Sequence, residues 1–128
     1  MTRNQIKDPF LLGYLDAALW TADEDAPGGK DYVASGRAGD MYEAFPDWFI
    51  KQAKTDCQAF QIALAAALSR AGSAEQNGHD FWLTRNHHGC GFWDRGYPKD
   101  ISDRLTESAE KMGEVDFTAE DFEMEEAE

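Results

Sequence analysis

Between residues 79 and 90 the chain places His79, His87, His88 and Cys90, residue types that ligate zinc or, beside a base, make a nucleophilic thiol. Spacing decides between these chemistries. On an extended strand rising about 3.3 Å per residue, His79 and His87 stand roughly 25 Å apart. Zinc bonds are about 2 Å long, so the two cannot share an ion. His87, His88 and Cys90 can approach one ion, but their spacing matches no usual zinc pattern, so we expect solvated turn histidines, no bound metal and no cofactor. A Cys90 nucleophile has His88 nearby, yet no helix N-terminus or third orienting group is evident to lower its pKa. His79 and Asp94 could act as an acid–base pair. An ion pair at the edge of a sheet is the plainer expectation for them, because structural pairs perturb pKa values as active sites do.

The elements that would position these groups follow from composition. The segment His79 to Arg95 reads as a β-hairpin, HDFWLTR and CGFWDR around a polar NHHG turn. Alternation puts His79, Phe81, Leu83, Arg85, Cys90, Phe92 and Asp94 on one face, which is expected to cover a helix. The other face carries Asp80, Trp82, Thr84, Gly89, Gly91, Trp93 and Arg95. Bare glycine backbone beside the tryptophans could admit a ligand or partner. Equally, a helix or the 23–40 loop could cover them. The candidate binding residues are therefore Trp82, Trp93, Arg85, His87, His88 and Asp94, with no catalytic residue assigned.

Three helices are expected around this hairpin. Asp8-Pro9 supplies an N-cap and a first-turn proline, and Leu11, Leu12, Leu15, Ala18, Leu19 and Ala22 follow at helical spacing until about residues 20–22. Gly13 weakens that helix slightly. Pro46 opens the longest helix, to about Ala71, with Trp48, Phe49, Ala53, Cys57, Phe60, Leu64 and Leu68 as its apolar stripe and Gly72 as its stop. Asp100 or Ser102 caps a third helix through about Met112, ended by Gly113, and 114–118 offers a third strand. Residues 23–40, rich in Gly and Asp, read as a loop anchored by Tyr32 and Val33.

The expected fold class is α+β, with a long central helix and two further helices packed on a small antiparallel sheet. Residues 1–118 form one domain and 119–128 an acidic tail expected to be disordered. An apolar content of 42% in 128 residues allows a packed core without staples. Cys57 and Cys90 are expected as reduced structural thiols, one on a helix and one on a strand. No run of about 18 apolar residues occurs and the first residues lack a signal-peptide pattern, which makes the cytoplasm the expected location. The net charge of −13 argues against nucleic acid as a direct ligand and for a basic protein surface as partner. The same charge would also serve solubility alone.

The stretch GHDFWLTRNHHGCGFWDRG, from Gly78 to Gly96, resembles the signature of a family of small uncharacterised proteins of bacteriophages and related mobile elements. YLDAALW (Tyr14 to Trp20), DCQAF (Asp56 to Phe60) and LTESAEKMGEVD (Leu105 to Asp116) are similar to the same family, so the resemblance covers most of the chain. It implies a source, with the host cytoplasm as location, and no mechanism. Members read Asn-Gly where this chain has Asn86-His87 and carry a small residue in place of Cys90, which argues against an essential role for His87 or Cys90. Their tails continue as a strand and a glycine turn, where this chain has FTAEDFEMEEAE.

Two functions are consistent with these residues. The first is a non-catalytic phage accessory protein whose acidic surface occupies a basic site on a host or phage protein, including an inhibitor of a host nucleic-acid-binding protein. The alternative is a small enzyme or ligand-binding protein with its site at the hairpin. The enzyme requires Arg85, a histidine and Asp94 to converge in a concavity. An assembly factor, by contrast, would expose an apolar patch.

Overall fold

A computed structural model describes residues 3–24 and 45–117. Its helices are α1 (Pro9–Glu24), α2 (Asp47–Ala63), α3 (Ala65–Leu68), α4 (Ala74–Arg85) and α5 (Lys99–Lys111), with 3-10 turns at Arg3–Gln5 and Phe92–Asp94. There is no strand among the described residues. The expected α+β fold, its β-hairpin at 80–95 and a third strand at 114–117 are therefore corrected to a helical fold. The 23–40 loop, beyond the end of α1, and the acidic tail lie outside the described residues, as does residue 118.

The helix starts follow local chemistry. Asp8 Oδ1 accepts the Phe10 N–H at 3.0 Å, capping α1 one residue before Pro9. The long expected helix is α2 and α3 together. The two meet at Leu64, whose φ of −112° and ψ of 18° depart from helical values, yet Leu64 N–H still donates to the Phe60 carbonyl and Leu68 N–H to Leu64. The predicted stripe is buried at Phe49, Ala53, Cys57, Phe60 and Leu64, whereas Trp48 is exposed. Helix α5 begins at Lys99, earlier than Asp100 or Ser102 as caps would allow, and Gly113 (φ 81°) follows it.

Helix α4 replaces the first expected strand. Ser73 Oγ accepts the Gln76 N–H at 3.1 Å, which fixes its N-terminus. Phe81, Trp82, Leu83, Thr84 and Arg85 are all buried in succession. Two-sided alternation is therefore absent, because neighbours cover this half of the helix all round.

Two glycines make that burial possible. A Cβ at Gly13 of α1 would fall on the Glu75 carbonyl of α4, and one at Gly78 of α4 would fall on the Phe10 carbonyl of α1. The two helices thus cross main chain against main chain. Around the crossing, Tyr14 meets Phe81 in a tilted pair at 5.3 Å and Trp82 edge-on at 5.2 Å, and Phe81 stacks at 4.2 Å on Phe60 of α2. Trp82 Nε1 donates to Thr21 Oγ1 (2.9 Å), whose hydroxyl donates to the Ala17 carbonyl (2.9 Å), so the buried indole N–H is satisfied.

Helix propensity alone predicts that Gly78→Ala stabilises α4 by about 1 kcal/mol. The crossing predicts the opposite: a loss above about 3 kcal/mol, because main chain cannot yield as side chains do. Urea unfolding of Gly78→Ala, beside the exposed α2 change Ala59→Gly as a propensity control, distinguishes them. A Gly78→Ala variant as stable as the parent would contradict the crossing.

Candidate functional site

The segment that carries the motif does fold back on itself, through a helix end and a turn. Helix α4 closes with His88 N–H donating to the Leu83 carbonyl (3.0 Å) and His87 N–H to Thr84 (3.3 Å), a Schellman pairing. It puts His87 at φ 55°, the left-handed region. Glycine adopts this conformation without a steric penalty, so an Asn-Gly pair here would fit a helix C-cap as well as a hairpin turn. Beyond it, Gly91 N–H donates to Asp94 Oδ2 at 3.1 Å and Phe92 N–H to Thr84 Oγ1 at 3.3 Å. A Cβ at Gly91 would strike Thr84 Oγ1 and the Trp93 ring, so only glycine fits.

The six candidate binding residues do not assemble. Trp82 is in the core. Arg85, 2% exposed, spends its guanidinium inside the protein: Nη1 donates to Asp56 Oδ2 (2.8 Å) and to the Tyr14 hydroxyl (3.2 Å). Its Nε donates to the Gly113 carbonyl (2.8 Å) and its Nη2 to Met112 (3.1 Å). Asp94 closes the 91–94 turn. His87 and His88 are exposed, and His87 Nε2 stands 3.7 Å from Glu114 Oε1 in a solvated pair. Trp93, 44% exposed, is the one indole of the motif at the surface. The expected Trp-bearing sheet face does not exist, and Arg85, a histidine and Asp94 do not converge.

Sequence reading missed the partners that matter. Half-buried Asp56 and buried Tyr14 join Arg85 in a hub linking α1, α2, α4 and the end of α5. Burial pushes the Tyr14 phenol well above its ordinary range, although Arg85 acts to lower it. Cys57, in the same region, is likewise pushed up by burial and then by Asp8 and Asp56, which makes it a poor nucleophile. Both cysteines are free, but Cys90 lies in a loop and not on a strand.

Asp80, a fully buried carboxylate, accepts two bonds from Arg95 Nε (3.2 and 3.0 Å), one from Arg95 Nη2 (2.7 Å) and one from Gln76 Nε2 (3.1 Å). This fork ties residue 95 back to α4. The grouping of Asp80 with Arg95, expected across a hairpin, occurs through helix and turn instead. Asn86 adds a further tie, accepting the Val115 N–H at 2.8 Å. Its side chain thus takes the place expected of a sheet ladder at 114–118. His79 does not meet Asp94. It stacks on Trp20, ring centroids 6.2 Å apart. Among the described residues no group of three or more His, Cys, Asp or Glu could hold a metal ion, and no helix is long and apolar enough to cross a membrane.

Two outcomes follow. A non-glycine residue in the left-handed region costs about 1–2 kcal/mol, so His87→Gly should raise stability by about 1 kcal/mol. Thermal unfolding would show this as a Tm several degrees higher, and an unchanged or lower Tm would contradict the cap. Burial, the largest influence, lowers the His79 pKa from its ordinary 6.5, with Arg95 acting in the same direction and Asp80 and Asp16 against it. The unfolded chain therefore takes up this proton first. The associated stability is present above pH 6.5 and is lost as pH falls from there toward the folded value. In urea midpoints measured across that window, His79→Gln should flatten the decline; an identical slope would contradict it. No family model, curated protein or solved structure matches this chain.

Proposed function

We propose that this chain is a non-catalytic accessory protein of a bacteriophage or related mobile element, an acidic module that binds a basic surface on a host or phage protein in the host cytoplasm. The observation that supports it is the fate of the motif's charges. Asp80, Arg85, Asp94 and Arg95 are each engaged within the fold, by Arg95, Asp56, Gly91 and Asp80 respectively. They act as braces within the fold. The chain's net charge of −13 is left for recognition. Carboxylates presented to a groove that normally takes phosphates would compete with nucleic acid for it, a form of electrostatic complementarity that salt weakens.

Affinity capture from infected host cells at low and at high salt tests this reading. The expected result is a basic protein held at low salt and released at high salt, whose nucleic-acid binding declines when purified protein is added. Capture of no basic protein, or turnover of a small molecule by a purified sample, would overturn it.

A further inference from the structure

An open groove of about 560 Å³ runs between the N-terminal segment and α2. Its floor is apolar, with Ile6, Leu11 and Ile62, the last 72% exposed. Its walls carry Lys7 and Lys54. Helical spacing lays Lys51, Lys54, Gln58 and Ile62 along one exposed flank of α2, so Lys51 continues the line past the groove. Local charge there is opposite to that of the whole chain. From Trp48 to Leu64 the one carboxylate is Asp56, which accepts from Arg85 inside the protein. Asp8 lines the groove, but both of its oxygens are engaged, Oδ1 by the Phe10 N–H and Oδ2 by Gln61 Nε2 at 2.9 Å. Among the described residues Lys7, Lys51 and Lys54 form no ion pair, and Asp47, one turn before Lys51, does not reach it. Lys7 Nζ donates to the Asn4 carbonyl at 3.4 Å. A chain of net charge −13 thus has one strip where ammonium groups without counter-charges border an apolar floor.

We propose that this groove binds an acidic, amphipathic segment of a partner protein. Charge complementarity selects the sign: carboxylates on the segment meet Lys7, Lys51 and Lys54, which lack anions of their own. The floor selects the rest, since apolar side chains on the same segment remove Ile6, Leu11 and Ile62 from water. Shape favours a segment over a small ligand. The groove is open along its length, and a small molecule is held by a site that encloses most of its surface. An extended segment turns alternate side chains to the floor and leaves the others in water. From residue 51 to residue 62 is roughly 17 Å along the helix. About five extended residues cover that length. This site is opposite in sign to the acidic surface of the proposed function and does not rest on that reading. A chain with both would join a basic protein to an acidic one.

Amide chemical shifts of the full chain, titrated with the synthetic peptide acetyl-DEVEVDE-amide, test it. Two comparison peptides have serine in place of valine, or lysine in place of every acidic residue. The expected result is saturable shifts confined to residues 5–11 and 51–62, from the first peptide alone. Lys54→Glu should weaken that binding by about tenfold, because an attraction becomes a repulsion of similar size. Ile62→Asp should weaken it as well. Both side chains are exposed, so both variants keep the fold. Lys111→Glu, on α5, should leave the affinity within about twofold, as a rim charge away from the contact does. Equal binding of either comparison peptide, shifts centred elsewhere, or no saturable shifts would overturn the proposal. So would shifts of the same residues with protein concentration alone, which would assign the groove to a second copy of the chain.

Discussion

Two helices can touch main chain to main chain only where neither has a Cβ in the way, and the structure turns on that condition. Gly13 lies against Glu75 and Gly78 against Phe10. Each glycine costs its helix about 1 kcal/mol relative to alanine. In return the crossing brings Tyr14 and Phe10 onto Phe81, and Thr21 within reach of the Trp82 indole. Large aromatic side chains are worth roughly 1.5–3 kcal/mol each when fully buried, so the helical penalty is small beside what it permits.

The same approach explains why a buried carboxylate, Asp80, and a buried arginine, Arg85, are tolerated. A charge removed from water is costly unless it is paired and hydrogen-bonded. Arg85 reaches Tyr14 because α1 lies so close, and Asp56 of α2 completes the pair. Two main-chain carbonyls after α5 take the remaining donors. Asp80 is satisfied in the same way by Arg95 and Gln76. These networks tie helices and turns at fixed positions, and the motif's most chemical-looking residues are spent on architecture.

Much of the outer framework was legible in the sequence. Asp8-Pro9 marks the start of α1, the Phe49 to Leu64 stripe marks α2, and Gly113 ends α5. Residues 78–95 misled because a helix covered on every side has no amphipathic period. A run of Phe, Trp, Leu and Thr then looks like a strand by composition. One signal pointed the other way: Ser73-Ala-Glu-Gln76 has the spacing of a helix capping box. Asn86-His87 was ambiguous between a hairpin turn and a left-handed helix cap, and reading it as the former carried the strand assignment with it. The site suffered accordingly. Arg85 reads in the sequence as a candidate binding residue, but its burial depends on Tyr14 and Asp56, distant in the chain and with nothing in their spacing to join them to it. Gly13 and Gly78 were invisible for the same reason, since a close approach belongs to two elements and not to either alone.

The contact between α1 and α4 can be observed directly by nuclear Overhauser effects in the full chain. The account predicts strong cross-peaks from the Gly78 α-protons to the main chain of Phe10 and from those of Gly13 to Glu75, with helical α-carbon shifts continuing through Arg85. Extended shifts over residues 78–85 with no such cross-peaks would contradict it.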